Sequence, residues 1–300
     1  MKSIGVIGAG AMGKGIAKNL RQAGYEVLAH KRKINESDPV ITYLREADVS
    51  ITEDLSKIFT SVDILITCLP DSPTVEETLL GASGLANQAR RKVSCVLDFS
   101  TAHPESTRKV ARELGKLGID VLDTPMTGGP KEANEGTIKL VVGGKKETLE
   151  KYRSLLEVVS AKIVYAGEAG SGNAVKLMNN FLAILSQAAT AGVDILMQEM
   201  GVSRDAVKEY IGSSGGNSWG FNAMMNRLVE DNFAVNFSLA LAYKDLRYNQ
   251  DLFKSVGGFP ILDALADSYK KAAESGYNDK DVGAIYFSLE ETMKKDAKYI

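Results

Sequence analysis

Apolar residues occur in two different patterns along the first half of the chain. Short apolar runs bounded by glycine, proline or polar residues predict buried strands, and helical spacing fills most of the intervals between them. The predicted strands cover residues 3–7, 26–30, 64–69, 93–99, 120–123, 139–142 and 163–165. Segment 34–50 predicts a short helix and an edge strand. This alternation of strand and helix predicts an α/β domain with a parallel, doubly wound sheet.

From about residue 170 the apolar residues recur only at helical spacing, and strand patterns disappear. A helix over 172–200 would be about 40 Å long at 1.5 Å per residue. Further helices are predicted over 203–212, 219–229, 238–256, 260–275 and 281–297. Six of the seven prolines lie in the first 130 residues. We therefore predict an α/β domain over 1–168 and an all-helical domain over 169–300, joined by the long helix.

The long helix contains an apolar stretch, 181–197, that could be mistaken for a membrane span. It includes Gln187 and Asp194, whereas a spanning helix needs about 20 mostly apolar residues without charges. A helix buried on most of its faces is the better interpretation, and we expect no membrane partner.

Composition narrows the class of protein. The net charge is −2, and 44% hydrophobic and 25% charged residues are ordinary for a globular chain. Nothing global therefore points to nucleic acid. The two cysteines, Cys68 and Cys95, lie in apolar runs and predict buried thiols, with no disulfide framework and no metal-ligand spacing. The first strand leaves no room for a targeting segment, so the expected location is cytoplasmic.

The turn after the first strand carries the strongest chemical signal. Gly8-x-Gly10-x-x-Gly13 lies between an apolar strand and a helical pattern that begins at Ile16. Gly8 permits a tight turn, Gly10 lets the backbone approach a pyrophosphate, and Gly13 lets the helix pack close to the strand. This arrangement predicts a Rossmann dinucleotide site. The predicted cofactor-binding residues of the turn are Gly8, Ala9, Gly10, Ala11, Met12 and Gly13.

The end of the second strand indicates which dinucleotide is bound. An acid usually stands about 20 residues after the glycine motif when the cofactor has a free 2′-hydroxyl. Here the strand ends in Lys31, Arg32 and Lys33, and Glu36 and Asp38 come later. Three cations in this place fit a 2′-phosphate. We predict NADP, with NAD as the alternative; the three cations could also be a solvated surface run.

The start of the long helix contains a candidate acid/base residue. Lys176 and Asn180 are four residues apart, hence on one helical face. A lysine near the start of an apolar helix is expected to be partly desolvated, which lowers its pKa toward neutrality. It could then protonate a carbonyl oxygen while Asn180 holds that oxygen. The alternative is a lysine whose stem lies along the helix while its amine stays in water.

A third candidate site follows the strand 120–123. Thr127 offers a hydroxyl, and Gly128 and Gly129 offer backbone N–H groups. This is a suitable cradle for a small carboxylate, although an ordinary turn would have a similar sequence. We expect the substrate to bind where the carboxyl ends of the strands meet the helical domain.

Four motifs, in this order, resemble those of the β-hydroxyacid dehydrogenase family, and the resemblance covers essentially the whole chain. The first is the glycine turn. The substrate motif Asp-x-Pro-Val-Ser-Gly-Gly reads here as 123–129, with methionine and threonine in place of valine and serine. Gly-x-Gly-x-x-x-Lys-x-x-x-Asn matches 170–180, and Phe-x-Leu-x-Leu-x-x-Lys-Asp matches 237–245.

The resemblance implies the roles of further residues. Leu69, Pro70, Thr101 and Lys244 would contact the cofactor. Phe237 and Asp245 would lie near the substrate, together with Thr127, Gly128, Gly129, Lys176 and Asn180. Lys176, Asn180 and Thr127 would be the catalytic residues. The family also implies a homodimer or homotetramer, with the long helix at the subunit interface.

The expected function is therefore NADP(H)-dependent hydride transfer on a short β-hydroxyacid or semialdehyde similar to 3-hydroxyisobutyrate. Three alternatives remain at this point. A phosphogluconate-type decarboxylating relative would carry histidine at Asn179 and a longer helical domain. An imine reductase would typically lack the lysine found at position 176. A non-catalytic NADPH-binding sensor or scaffold would need a broken catalytic position.

Overall fold

The first part of the chain forms a nine-stranded sheet in a computed structural model that describes residues 2–296. The strands are β1 (Ser3–Ile7), β2 (Glu26–His30), β3 (Ser50–Thr52), β4 (Ile64–Thr67), β5 (Cys95–Asp98), β6 (Asp120–Asp123), β7 (Met126–Thr127), β8 (Ile138–Gly144) and β9 (Ser160–Gly167). The first six are parallel neighbours in the order 3-2-1-4-5-6. This is the Rossmann order, so the predicted fold class is confirmed.

The far edge of the sheet differs from the prediction of a wholly parallel sheet. Strand β8 is antiparallel to β6 and β7, and β9 is parallel to β8. The two residues of β7 lie in the predicted carboxylate cradle, where no strand was predicted, because two residues are too few to show a strand period. The edge strand expected within 34–50 is β3, at 50–52.

Seven helices accompany the strands of the first part. They are α1 (Gly13–Gln22), α2 (Pro39–Glu46), α3 (Leu55–Ser61), α4 (Ser72–Leu80), α5 (Pro104–Gly115), α6 (Pro130–Glu135) and α7 (Lys146–Val159). Asp38, Asp54 and Asp71 cap α2, α3 and α4 by accepting from backbone N–H groups of the first turn.

Both faces of the sheet are covered by apolar side chains. In β4, Ile64 and Ile66 belong to one buried cluster and Leu65 belongs to another. Successive side chains of a strand point to opposite faces, so these clusters are the cores on the two sides. This explains why β4 reads as a continuous apolar run.

The second part of the chain is helical, as predicted. Its helices are α8 (Ser171–Glu199), α9 (Arg204–Gly212), α10 (Trp219–Glu230), α11 (Leu239–Phe253), α12 (Pro260–Ala272) and α13 (Ile285–Asp296). Short non-α turns extend three of the predicted helices, at Lys254–Val256, Ala273–Tyr277 and Val282–Ala284. The last residue of the predicted helix 281–297 lies outside the described residues.

The chain divides into two compact units, of which the first ends at Lys176 and the second begins at Leu177. Each unit has its own apolar core. The division falls inside α8, after its first turns, whereas the sequence predicted a boundary at 168/169. Lys176 thus closes the first unit, and Asn180 lies at the start of the second.

Helix α8 is long and apolar enough to cross a membrane if only length and composition are considered. Core helices of globular proteins have the same properties. Asp194 in this helix is buried and accepts from Arg204 at 3.0 Å. Burial of α8 is less complete than predicted, because 44% of its most apolar window is buried and Leu182 and Leu196 are exposed.

Candidate active site

The glycine turn after β1 is held by close backbone contacts. Gly8 has φ +93°, and a Cβ there would lie 2.2 Å from the Cys68 carbonyl oxygen. A Cβ at Gly13 would lie 2.3 Å from the Gly8 carbonyl oxygen, so α1 starts directly against the turn. The Gly10 N–H donates to that same oxygen at 2.8 Å. These contacts agree with the mechanical roles predicted for Gly8 and Gly13.

Unlike Gly8 and Gly13, Gly10 has open space where a side chain would be. This difference bears on whether the turn can bind a dinucleotide. A Cβ at this position would meet no protein atom within 4 Å. The fold itself therefore does not require glycine here. A pyrophosphate lying on the turn does require it, because any side chain at this position would occupy the space of the phosphates. The turn leads into α1, whose first N–H groups and positive end suit a phosphate. The residues present fit a dinucleotide cofactor.

The carboxyl ends of β4 and β5 are tied together beside this turn. The Leu69 N–H donates to Ser100 Oγ at 2.9 Å. Asp98 accepts from Thr67 Oγ1 at 2.8 Å and from the Ser100 N–H at 3.0 Å. Burial raises the pKa of Asp98 to about 6, although these donors oppose the shift. The network fixes the segments that carry Leu69, Pro70 and Thr101 at neighbouring strand ends.

The three cations after β2 are not equivalent. Lys31 Nζ lies 2.9 Å from Asp38 Oδ2, in an ion pair that joins the end of β2 to the cap of α2. Arg32 and Lys33 are exposed. We predicted from the sequence that all three would bind the 2′-phosphate of NADP, but Lys31 already has an anionic partner within the protein.

The start of α8 is anchored to β6 by a buried carboxylate. Asp123 is fully buried and accepts from the Gly170 N–H at 2.9 Å and the Asn173 N–H at 2.8 Å. Burial raises the pKa of Asp123, against the effect of these donors. A Cβ at Gly143 or Gly172 would approach the carboxylate to 2.5 Å or 2.8 Å. Both glycines therefore leave the space that the carboxylate occupies.

A second anchor of α8 is Asn173, which is also fully buried. Its Oδ1 accepts from the Ala102 N–H at 3.0 Å, and its Nδ2 donates to Thr107 Oγ1 at 3.0 Å. Sequence reasoning missed the anchoring roles of Asp123 and Asn173. The sequence feature that could have indicated these roles is the position of Asp123 in the motif 123–129 and of Asn173 in the motif 170–180.

Lys176 lies three residues after Asn173, on the same α8, and only 9% of it is exposed. The alternative interpretation, an amine held out in water, does not fit this burial. Lys176 is therefore a buried lysine on a helix whose start is fixed at two points.

The predicted carboxylate cradle is only partly available. Thr127 and Gly128 are exposed, but the Gly129 N–H donates to Glu132 Oε2 at 2.7 Å in the capping box of α6. One of the two predicted backbone donors is therefore already used. The register of β7 and β8 pairs Thr127 with Lys139, and paired residues share a face. Lys139, an exposed cation, was not singled out from the sequence.

In the second unit, three of the predicted residues lie together. Asn180 Nδ2 donates to Asp245 Oδ2 at 2.6 Å, and both residues are buried. Lys244 Nζ lies 3.2 Å from the other oxygen of Asp245. Phe237 precedes α11, and its N–H donates to Asp281 at 3.4 Å. Asn180 and Asp245 thus form one hydrogen-bonded pair, whereas Phe237 belongs to a loop held by Asp281.

A Rossmann sheet, a glycine turn open to a ligand and a buried lysine on an anchored helix define the class: a dinucleotide-dependent oxidoreductase. The described residues contain no group of three or more His, Cys, Asp or Glu side chains that could hold a metal ion.

Comparison with known proteins narrows this class. Residues 3–167 match the NAD binding domain of 6-phosphogluconate dehydrogenase, and residues 170–289 match the NAD-binding domain of NADP-dependent 3-hydroxyisobutyrate dehydrogenase. The chain belongs to the β-hydroxyacid dehydrogenase family, as its four motifs predicted. It is therefore an NAD(P)-dependent enzyme of the hydroxyacid dehydrogenase class.

Individual relatives span almost the whole chain. The 2-(hydroxymethyl)glutarate dehydrogenase of Eubacterium barkeri is 32% identical over 285 residues, which cover 94% of this chain and 93% of the relative. The 2-hydroxy-3-oxopropionate reductase of Escherichia coli is 28% identical over 288 residues, covering 96% and 97%. A solved 3-hydroxyisobutyrate dehydrogenase of Mycobacterium tuberculosis with L-serine is 28% identical, with a TM-score of 0.83 and coverage of 96% and 99%. These findings do not favour the decarboxylase, imine reductase or sensor alternatives.

Proposed function

We propose that the chain catalyses NADP(H)-dependent hydride transfer between a short β-hydroxyacid and the corresponding semialdehyde, with Lys176 as general acid/base. The observation that carries this proposal is the burial of Lys176 on a helix that Asp123 and Asn173 anchor. The nicotinamide supplies or accepts the hydride when it is bound.

Among the proposed catalytic residues, one would transfer the proton and the others would bind the substrate. Lys176 would give a proton to the carbonyl oxygen during reduction and take it from the hydroxyl during oxidation. Asn180, whose amide is oriented by Asp245, would hold the same oxygen. Thr127 and the Gly128 N–H would hold the substrate carboxylate, with Lys139 as a nearby cation.

The names of the relatives indicate a shared substrate chemistry. 2-(Hydroxymethyl)glutarate, 2-hydroxy-3-oxopropionate and 3-hydroxyisobutyrate each carry a one-carbon alcohol or aldehyde on the carbon next to a carboxylate. We propose that this chain acts on a substrate of the same kind. Phe237 and Gly129 would then border the substrate, as the family pattern implies.

The experiment that tests this function measures NADPH oxidation over a panel of short semialdehydes and ketoacids, with the reverse reaction on 3-hydroxyisobutyrate and L-serine. We expect turnover with acids that bear an aldehyde on the adjacent carbon. Matching aldehydes without the carboxylate should have a kcat/KM at least about tenfold lower, because one charge-assisted contact is lost. Equal rates for acids and neutral aldehydes would contradict the proposed carboxylate site.

The cofactor proposal predicts a selective effect of Arg32. The wild-type enzyme should have a lower KM for NADPH than for NADH. Arg32→Ala should raise the KM for NADPH by about tenfold or more, because a charge-assisted pair with phosphate is worth roughly 1.5–3 kcal/mol. The KM for NADH should change little. Equal or better use of NADH by the wild-type enzyme would contradict the NADP proposal.

We also propose a cytoplasmic homodimer or homotetramer. Within the second unit, Leu182, Val193 and Leu196 lie along α8, Met200 follows its last residue, and these four residues are 40–64% exposed. Leu182, Val193 and Leu196 fall on one side of the helix at 100° per residue, and an exposed apolar helix face is typical of an interaction site. Sedimentation velocity tests the state of assembly, and a monomer at micromolar concentration would contradict it.

A further inference from the structure

The ion pair between Lys31 and Asp38 lies where the family's cofactors are distinguished, at the end of β2. The two charged atoms are 2.9 Å apart, and the side chains are only 20% and 29% exposed. The other oxygen of Asp38 accepts from the Val40 N–H at 2.8 Å. Both carboxylate oxygens of Asp38 are therefore engaged within the protein.

Asp38 is ionised at neutral pH. The hydrogen bond from Lys31, followed by that from the Val40 N–H, holds the pKa of its carboxyl below the ordinary range. Lys14 at the start of α1 adds a smaller electrostatic contribution and also lies over the Tyr43 ring of α2.

A carboxylate near this strand end has opposite effects on the two nicotinamide cofactors. It can accept a hydrogen bond from the 2′-hydroxyl of NAD, and it repels the 2′-phosphate of NADP. Other acids in the region are engaged elsewhere: Glu36 pairs with Arg45, and Glu53 accepts from the Ile34 N–H. Among these three acids, Asp38 is the one whose ion-pair partner belongs to the cationic run 31–33.

We propose that Lys31 is a specificity-determining residue that acts through Asp38 instead of binding the 2′-phosphate itself. By pairing with Asp38, Lys31 cancels the charge that would repel NADP and keeps the carboxylate from the 2′-hydroxyl of NAD. Arg32, which is exposed and has no ion pair with any residue in the described range 2–296, is left for the phosphate. This inference rests on the proposed use of NADP.

The test uses three variants: Lys31→Met, Asp38→Asn and the double variant. Methionine keeps an unbranched stem, and asparagine is as good a helix cap as aspartate, so α2 should be retained. The dissociation constants of NADPH and NADH are measured by fluorescence titration without substrate. Lys31→Met should weaken NADPH binding by about tenfold, because it leaves Asp38 uncompensated. Its affinity for NADH should be unchanged or tighter.

The double variant separates the indirect role from a direct one. If Lys31 acts through Asp38, Asp38→Asn alone should bind NADPH at least as tightly as wild type, because it leaves the Lys31 cation unpaired. Adding it to Lys31→Met should restore binding to within about twofold of wild type. If Lys31 binds the phosphate, the double variant remains as weak as Lys31→Met, and the inference is wrong. If Lys31→Met binds NADPH as tightly as wild type, the inference is also wrong. Lys146→Met, at an exposed position of α7, is the control for loss of a lysine.

Failure of the inference and failure of the cofactor proposal give different results. Wild-type protein that binds NADH more tightly than NADPH overturns the NADP proposal and, with it, this role of Lys31. Wild-type protein that prefers NADPH, combined with a double variant that is not restored, overturns the role of Lys31 alone.

Discussion

Lys176→Met should lower kcat by about 10³-fold at neutral pH, since a positioned proton donor contributes 10²–10⁴ to the rate. Methionine keeps the unbranched stem of this buried residue and removes only the amine. The thermal midpoint and the NADPH dissociation constant should therefore stay close to those of wild type. Stopped-flow measurement of NADPH oxidation, under single-turnover conditions with the preferred aldehyde, isolates the chemical step.

Two controls make this result specific. Lys146→Met removes an exposed lysine from α7 and should leave kcat unchanged. The pH profile of kcat/KM should lose one ionisation in Lys176→Met, whereas a merely structural lysine would lower the rate without changing the profile. Wild-type rates in the Lys176 variant would show that another group transfers the proton.

Asp123→Ala should have the largest effect on stability. It leaves the N–H groups of Gly170 and Asn173 without their buried acceptor. We expect a loss of about 3 kcal/mol in the free energy of unfolding. Because α8 also carries Lys176, kcat should fall while the KM for NADPH changes less. Urea titration gives the stability, and amide hydrogen exchange at 170–176 reports the start of α8.

Asp120→Ala is the matched control, because it removes an acid from the other end of the same β6. Asp120 pairs with the exposed Lys145 at 3.0 Å, and exposed pairs are worth about 0–1 kcal/mol. Asp123→Asn keeps one acceptor oxygen and should be intermediate. If Asp123→Ala proves as stable as Asp120→Ala, the carboxylate does not anchor α8.

The strands of the doubly wound sheet and the helical second part could be predicted because burial and periodicity are local properties of the sequence. The mostly apolar run 64–69, between Asp63 and Pro70, is enough to indicate a strand buried on both faces. The antiparallel direction of β8 could not be predicted, because a buried strand has the same apolar pattern in either direction. The two-residue β7 was missed since a period needs more residues to show.

In the candidate site, too, local features could be predicted from the sequence and contacts between distant segments could not. Gly8, Gly10 and Gly13 could be found because their spacing reflects one local turn. The pairing of Lys31 with Asp38, and the use of the Gly129 N–H by Glu132, depend on the exact path of short loops. The Asp123 carboxylate accepts from the N–H of Gly170, which immediately precedes α8 and is 47 residues away along the sequence. No local pattern indicates that contact. Motif order identified the residues, but only the fold shows which groups are already engaged.

The enclosure of Asp123 has a consequence for protein engineering. The carboxylate is packed against Gly143 from β8 and Gly172 from α8, which lie in two distant segments. A chimaera that takes α8 from a relative with a larger residue at position 172, or β8 from one with a larger residue at 143, would press a side chain into the carboxylate. Segments exchanged between members of the family should therefore carry these three positions together.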